Sequence, residues 1–113
     1  MSSSEEAAQS TKTINDCFGF AVRLTHERMA HILEHPEMKD MRAEIEQVLA
    51  APQIVHRSRS DEQVRLFYTF YPETIVGGKW LCVVVKYASS DAFIITAYLT
   101  DKPKPGETLW PAS

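Results

Sequence analysis

Between residues 64 and 100 the chain alternates its side chains with a period of two. VRLFYTFY (64–71) sets Val64, Leu66, Tyr68 and Phe70 against Arg65, Phe67, Thr69 and Tyr71, which is the pattern of a strand. KWLCVVVKY (79–87) and AFIITAYLT (92–100) read as a final hairpin, and QIVHRS (53–58) as a short strand before the charged turn 59–63. Residues 72–78 read as a loop closed by Gly77 and Gly78. Upstream, CFGFAVRL (17–24) suits a first strand. Thr25 is a helix cap, and Met29, Ile32 and Leu33 form one helical stripe. Pro36 disfavours helical geometry at His35, yet its ring suits the first turn of a second helix. That helix is expected over residues 36–50, burying Met38, Met41, Ile45, Val48 and Leu49, and Pro52 ends it. The expected fold is α+β: a short N-terminal strand, two helices, then an antiparallel four-strand meander. Residues 1–16 read as a disordered tail and 17–110 as one domain. The proline-rich end should be extended, with Trp110 docking back on the body.

The last hairpin has two all-apolar faces, Leu81, Val83 and Val85 on one strand and Phe93, Ile95, Ala97 and Leu99 on the other. Burying both in one core requires them to share a side of the sheet. A three-residue loop, 89–91, achieves this by pairing Val85 with Ile95. Lys86, Thr96 and Tyr98 then share the opposite face, with Lys86 diagonal to Thr96.

Composition adds limits. At 113 residues and 44% apolar, the chain suits one globular core. No apolar run is long enough to span a bilayer, so no membrane role is expected. MSSSEEAAQSTKT lacks the basic and apolar regions of a secretory signal, which makes the cytoplasm the expected location. Cys17 and Cys82 have no metal or redox spacing. The net charge of −3 argues against broad nucleic-acid affinity, but it is uneven. Acids outnumber bases in 26–51, whereas bases outnumber acids in 53–104, so an anionic ligand would be drawn to the strand-rich half.

Candidate chemistry concentrates in two places. His26, His31 and His35 fall within THERMAHILEHPE. His35 stands between the two helices, where an imidazole can serve as a general base, and His31 lies one turn before it. His31-Ile-Leu-Glu34-His35 also fits the zinc pattern H-x-x-E-H. Pro36 breaks the helix directly after the second histidine and the domain is small for such an enzyme, so no metal or cofactor is expected. The second place is the last hairpin. Lys86 in an apolar strand is costly unless paired or functional, and Thr96 lies diagonal to it. Arg57, Arg59 and Arg65 are candidate phosphate contacts, with a solvated turn beside Asp61 and Glu62 as the competing reading. Tyr68, Tyr71 and Tyr98 could stack on bases or simply form core.

The order strand, two helices, four strands resembles the barnase–EndoU–colicin–RelE superfamily of small nucleases. HILEHPEM resembles the histidine-and-HPE motif of its phage-associated nuclease-like branch. LCVVVK and DAFIITAYLTDKPKPGETLW resemble the last hairpin and ending of that branch. The resemblance covers roughly residues 18–110. It implies a RelE/barnase-like fold and a metal-independent ribonuclease or toxin whose site combines a helix histidine, basic residues and a strand hydroxyl. Carried over, it implicates His31, His35, Lys86 and Thr96 in catalysis and places a basic or polar strand residue near Arg57 and Ser58; with Tyr98 as a base-stacking ring, these are the expected substrate contacts. The implied partners are RNA and a small antitoxin or immunity-like protein. The alternative is a catalytically inactive protein-interaction module of the same fold.

Overall fold

The computed structural model describes residues 11–111. Its elements are β1 (Thr11–Asn15), β2 (Ala21–Thr25), α1 (His26–Leu33), a 3₁₀ turn (Pro36–Met38), α2 (Arg42–Ala50), β3 (Ile54–Arg57), β4 (Val64–Thr74), β5 (Gly77–Ala88), β6 (Asp91–Thr100) and β7 (Thr108–Trp110). The fold is α+β, but the sheet is wider than the expected N-terminal strand and four-strand meander. Seven strands run in the order β1-β2-β6-β5-β4-β3-β7. The sheet is mixed, because β2 joins β6 in parallel while every other neighbour is antiparallel.

Two additions account for the difference. Residues 11–15, expected in the disordered tail, pair with β2 along their whole length and bury Ile14. The tail expectation for residues 1–10 lies outside the described residues. At the other edge, β7 pairs with β3, and Trp110 Nε1 donates to the Pro52 carbonyl at 3.2 Å. The first strand is also shorter than expected. Gly19 adopts φ +89°, a left-handed conformation that suits glycine, so residues 17–20 turn and β2 begins at Ala21.

Thr25 caps α1 by accepting from the Arg28 backbone N–H at 3.0 Å. The expected long second helix is divided. Pro36 opens a single 3₁₀ turn, Met41 departs from helical geometry with ψ 13°, and α2 begins at Arg42. Its anticipated stripe is nonetheless buried, since Met38, Met41, Ile45, Val48 and Leu49 all join the main core.

That core lies between the helices and one face of the sheet. Met29 and Ile32 of α1 and the α2 stripe meet Val22, Leu24, Val55, Phe67, Leu81, Val83, Val85, Ile94 and Ala97. Neither helix covers the other face. There a smaller cluster of Val64, Leu66, Tyr68 and Cys82 is flanked by Ile54, Trp80, Val84, Ile95 and Tyr98.

The β5–β6 register corrects the three-residue loop. Ala88 pairs with Asp91, leaving a two-residue turn at Ser89 and Ser90, and Val85 faces Ile94 rather than Ile95. A uniform ladder in this register would turn Ala97 and Leu99 away from the core. One irregularity between Val84 and Val85 prevents this: beyond it Val84 faces Thr96 and Leu81 faces Leu99. β6 therefore carries one extra residue, a β-bulge. Ile94 enters the main core while Ile95 packs against the cluster on the opposite face. Cross-strand amide NOEs should pair Val85 with Ile94 and Val84 with Thr96; a continuous ladder through Val85 and Ile95 would remove the bulge. Truncating Ile45, which is fully buried, to Ala should cost about 2–5 kcal/mol in urea denaturation.

Candidate functional site

The helix-free face holds an open groove of about 500 Å³. Its floor is Val64, Leu66 and Val84, and Thr96 and Tyr98 of β6 line it from one side. The turn after β3 supplies Ser58, Arg59, Ser60 and Asp61, and Lys104 and Pro105 supply a further wall. Strand alternation explains the floor, because every second residue of β4 and β5 faces away from the helices.

Lys86 follows the same alternation and stands beyond Val84. Its Nζ reaches Asp61 Oδ2 at 2.5 Å, across from β5 to the turn, with both side chains partly exposed. Asp61 Oδ1 also accepts the Gln63 backbone N–H at 3.0 Å. The Lys86 hydrogen bond, aided by the Gln63 one, holds the Asp61 carboxyl below the ordinary carboxylate range. Lysine in this apolar strand is therefore stabilised by a specific partner. The same ion pair fixes the turn carrying Ser58 and Arg59.

The wall formed by Lys104 is fastened from two sides. Its backbone N–H donates to Tyr68 Oη at 3.0 Å, and its carbonyl lies 2.7 Å from His56 Nδ1. That carbonyl can only accept, so Nδ1 carries the proton. The His56 ring meets Tyr68 edge-on with centroids 5.8 Å apart, and Lys104 Nζ stands 5.9 Å from the Tyr98 ring centre. Burial raises the Tyr68 and Tyr98 hydroxyls above their ordinary range, so both remain neutral donors. Between them, burial pushes the Cys82 thiol up to about 11, against the opposing effect of hydrogen bonds with Tyr98 and Tyr68.

The candidates read from sequence divide between the two faces. Thr96, Tyr98 and Ser58 line the groove, and Lys86 on the same face reaches its rim through Asp61. His31 and His35 do not join them. Met29 and Ile32 pack α1 against the main core, on the side of Val85 and Ile94, whereas Lys86 reaches the other side. Both histidines are exposed, and His31 Nδ1 lies 3.9 Å from Glu34 Oε1. Arg57 is engaged elsewhere: its Nε donates to Glu107 at 2.9 Å and another nitrogen to the Glu62 carbonyl. Among the described residues, no three His, Cys, Asp or Glu side chains gather as a metal-ligand group, and no helix is long and apolar enough to cross a membrane.

Sequence reasoning missed His56 and Lys104. The alternation of Ile54 and His56 could have assigned His56 to the groove side, whereas nothing local shows that the extended 102–106 segment crosses Tyr68. Comparison with protein-family models, curated proteins and solved structures finds no match to this chain.

Asp61 provides a direct test of the site. A depressed carboxyl contributes stability that is present above its unfolded value, near 3.8, and is lost as pH falls through the lower folded value. Replacing Lys86 with Met should move the Asp61 titration upward, read by carboxyl ¹³C NMR. An unchanged Asp61 titration would show that the pair does not govern it.

Proposed function

We propose that the chain is a nuclease-like domain of the RelE/barnase type that cleaves single-stranded RNA without a metal, with the substrate seated in the helix-free groove. The observation that carries this reading is the convergence of Thr96, Tyr98, Ser58, Arg59 and Lys104 around one apolar floor, with Lys86 paired to Asp61 at the rim. A nucleobase fits the Val64, Leu66 and Val84 floor, and the cations suit a phosphate.

In this reaction the ribose 2′-hydroxyl attacks the adjacent phosphorus and the 5′-oxygen leaves, producing a 2′,3′-cyclic phosphate and a free 5′-hydroxyl. Lys86, Arg59 and the Thr96 hydroxyl stabilise the phosphorane. Asp61 is the groove carboxylate able to accept the 2′ proton, and neutral Tyr98 is a donor to the leaving oxygen. A carboxyl held low by Lys86 is a weak base, so turnover should be slow. His31 and His35, on the helical side, take no part in contacting a substrate seated here.

A second reading, a catalytically inactive protein-interaction module, is favoured by one separate observation. The β4–β5 hairpin exposes Phe70, Ile75 and Val76, an apolar end suited to a protein partner such as a small antitoxin or immunity-like protein.

Full-length protein should cleave single-stranded RNA in EDTA and leave cyclic or 3′-phosphate ends. Lys86→Ala should lower the rate about a hundredfold or more, while His35→Ala should leave it within about threefold, because the imidazole lies outside the groove. No cleavage across a panel of RNAs would favour the interaction module. A large loss in His35→Ala with native melting would return catalysis to the helical side.

A further inference from the structure

A second cavity, about 550 Å³, opens at the end of the sheet where β5 turns into β6. Thr13, Phe20, Arg23, Arg65, Tyr87 and the 88–92 turn surround it. Arg65 lies between groove residues Val64 and Leu66 in β4, so alternation directs it to the face opposite the groove.

The setting of Arg65 is unusual. Its guanidinium carbon lies 4.7 Å from the Phe18 ring centre, 5.8 Å from Phe20 and 4.4 Å from Tyr87. Three aromatic rings therefore hold one cation. Among the described residues, Arg65 makes neither a side-chain hydrogen bond nor an ion pair within 4.0 Å. Nearby carboxylates are already engaged. Asp16 is buried, with Oδ1 accepting the Phe18 and Phe20 backbone N–H groups at 2.9 and 2.8 Å and Oδ2 accepting the Tyr87 hydroxyl at 2.5 Å. Asp91 is held by Arg23 through two hydrogen bonds of 2.9 and 2.6 Å.

Aromatic faces satisfy the charge of a guanidinium but not its N–H donors, which call for an acceptor. The donor fork matches a phosphate, and half-exposed Phe20 beside it offers a ring face. Thr13, Ser89 and Ser90 line the same space. We propose that this cavity is a nucleotide-binding site, with Arg65 receiving the phosphate and Phe20 stacking on the base. The site is separate from the groove and does not depend on RNA cleavage there.

The test uses full-length ¹⁵N-labelled protein titrated with adenosine 5′-monophosphate, inorganic phosphate and adenosine. AMP should shift the amides of Phe20, Arg65, Ser89 and Ser90. Arg65→Gln should weaken AMP at least tenfold, the loss of one charge-assisted contact. Phe20→Ala, at an exposed position, should weaken AMP about fivefold while leaving inorganic phosphate unchanged. If Arg65→Gln fails to fold, Arg65→Lys keeps the charge, removes the fork and should still weaken AMP severalfold. No AMP shifts at about 10 mM, shifts confined to Ser58, Thr96 and Lys104, or unchanged AMP affinity in Phe20→Ala and the folded Arg65 variant would each overturn the proposal.

Discussion

The phase of the β5–β6 ladder underlies both faces of the sheet. Side chains alternate with period two, so a slip of one residue exchanges core for surface along an entire strand. The two-residue turn at Ser89 and Ser90 begins the hairpin in one phase, and the bulge at Ile94 and Ile95 changes it before the strand reaches Ala97. On one side this lets Val85, Ile94, Ala97 and Leu81 meet the helices. On the other it gathers Val84, Ile95 and Tyr98 over Cys82, and leaves Thr96 at the groove. Core and groove thus depend on the same added residue.

The helices then separate the chemistry. Only one face of the sheet is covered by α1 and α2, and the imidazoles of His31 and His35 stay on that side. The bare face carries its own apolar floor, a lysine–aspartate pair and the Lys104 segment fastened through Tyr68 and His56. An ion pair at the rim of such a floor restricts a turn as well as balancing charge. Hence Lys86 is both a candidate phosphate ligand and the anchor for Arg59.

Much of this arrangement was legible locally. Alternation in 64–71 correctly divided Val64, Leu66 and Tyr68 from Phe67, and the helical stripe from Met38 to Leu49 is buried in full. The shared face of Lys86, Thr96 and Tyr98 also follows from alternation, although the register that placed them there lacked the bulge. Other features were hidden because they depend on distant partners. Nothing in TKTIN announces an edge strand until Val22 and Leu24 offer a ladder. No local pattern brings Asp61 to Lys86 across 25 positions or Lys104 to Tyr68 across 36. Helical spacing set His31 and His35 one turn apart, but α1 ends at Leu33 and His35 is extended, and spacing cannot tell which side of the sheet a helix will cover.

The parallel contact between β2 and β6 has a kinetic consequence. β3 to β6 join sequence neighbours through short reversals, so their ladders close small loops. The β2–β6 seam instead brings together Arg23 and Asp91, 68 positions apart. Closing a flexible loop of that length costs about 4 kcal/mol of chain entropy beyond a constant, whereas the solvent-exposed Arg23–Asp91 pair is screened by water and returns little of it. The seam is therefore affordable only once the intervening hairpins and helices have shortened the effective loop. Topology thus favours an order in which the local ladders form first and the β1–β2 ribbon closes the sheet last.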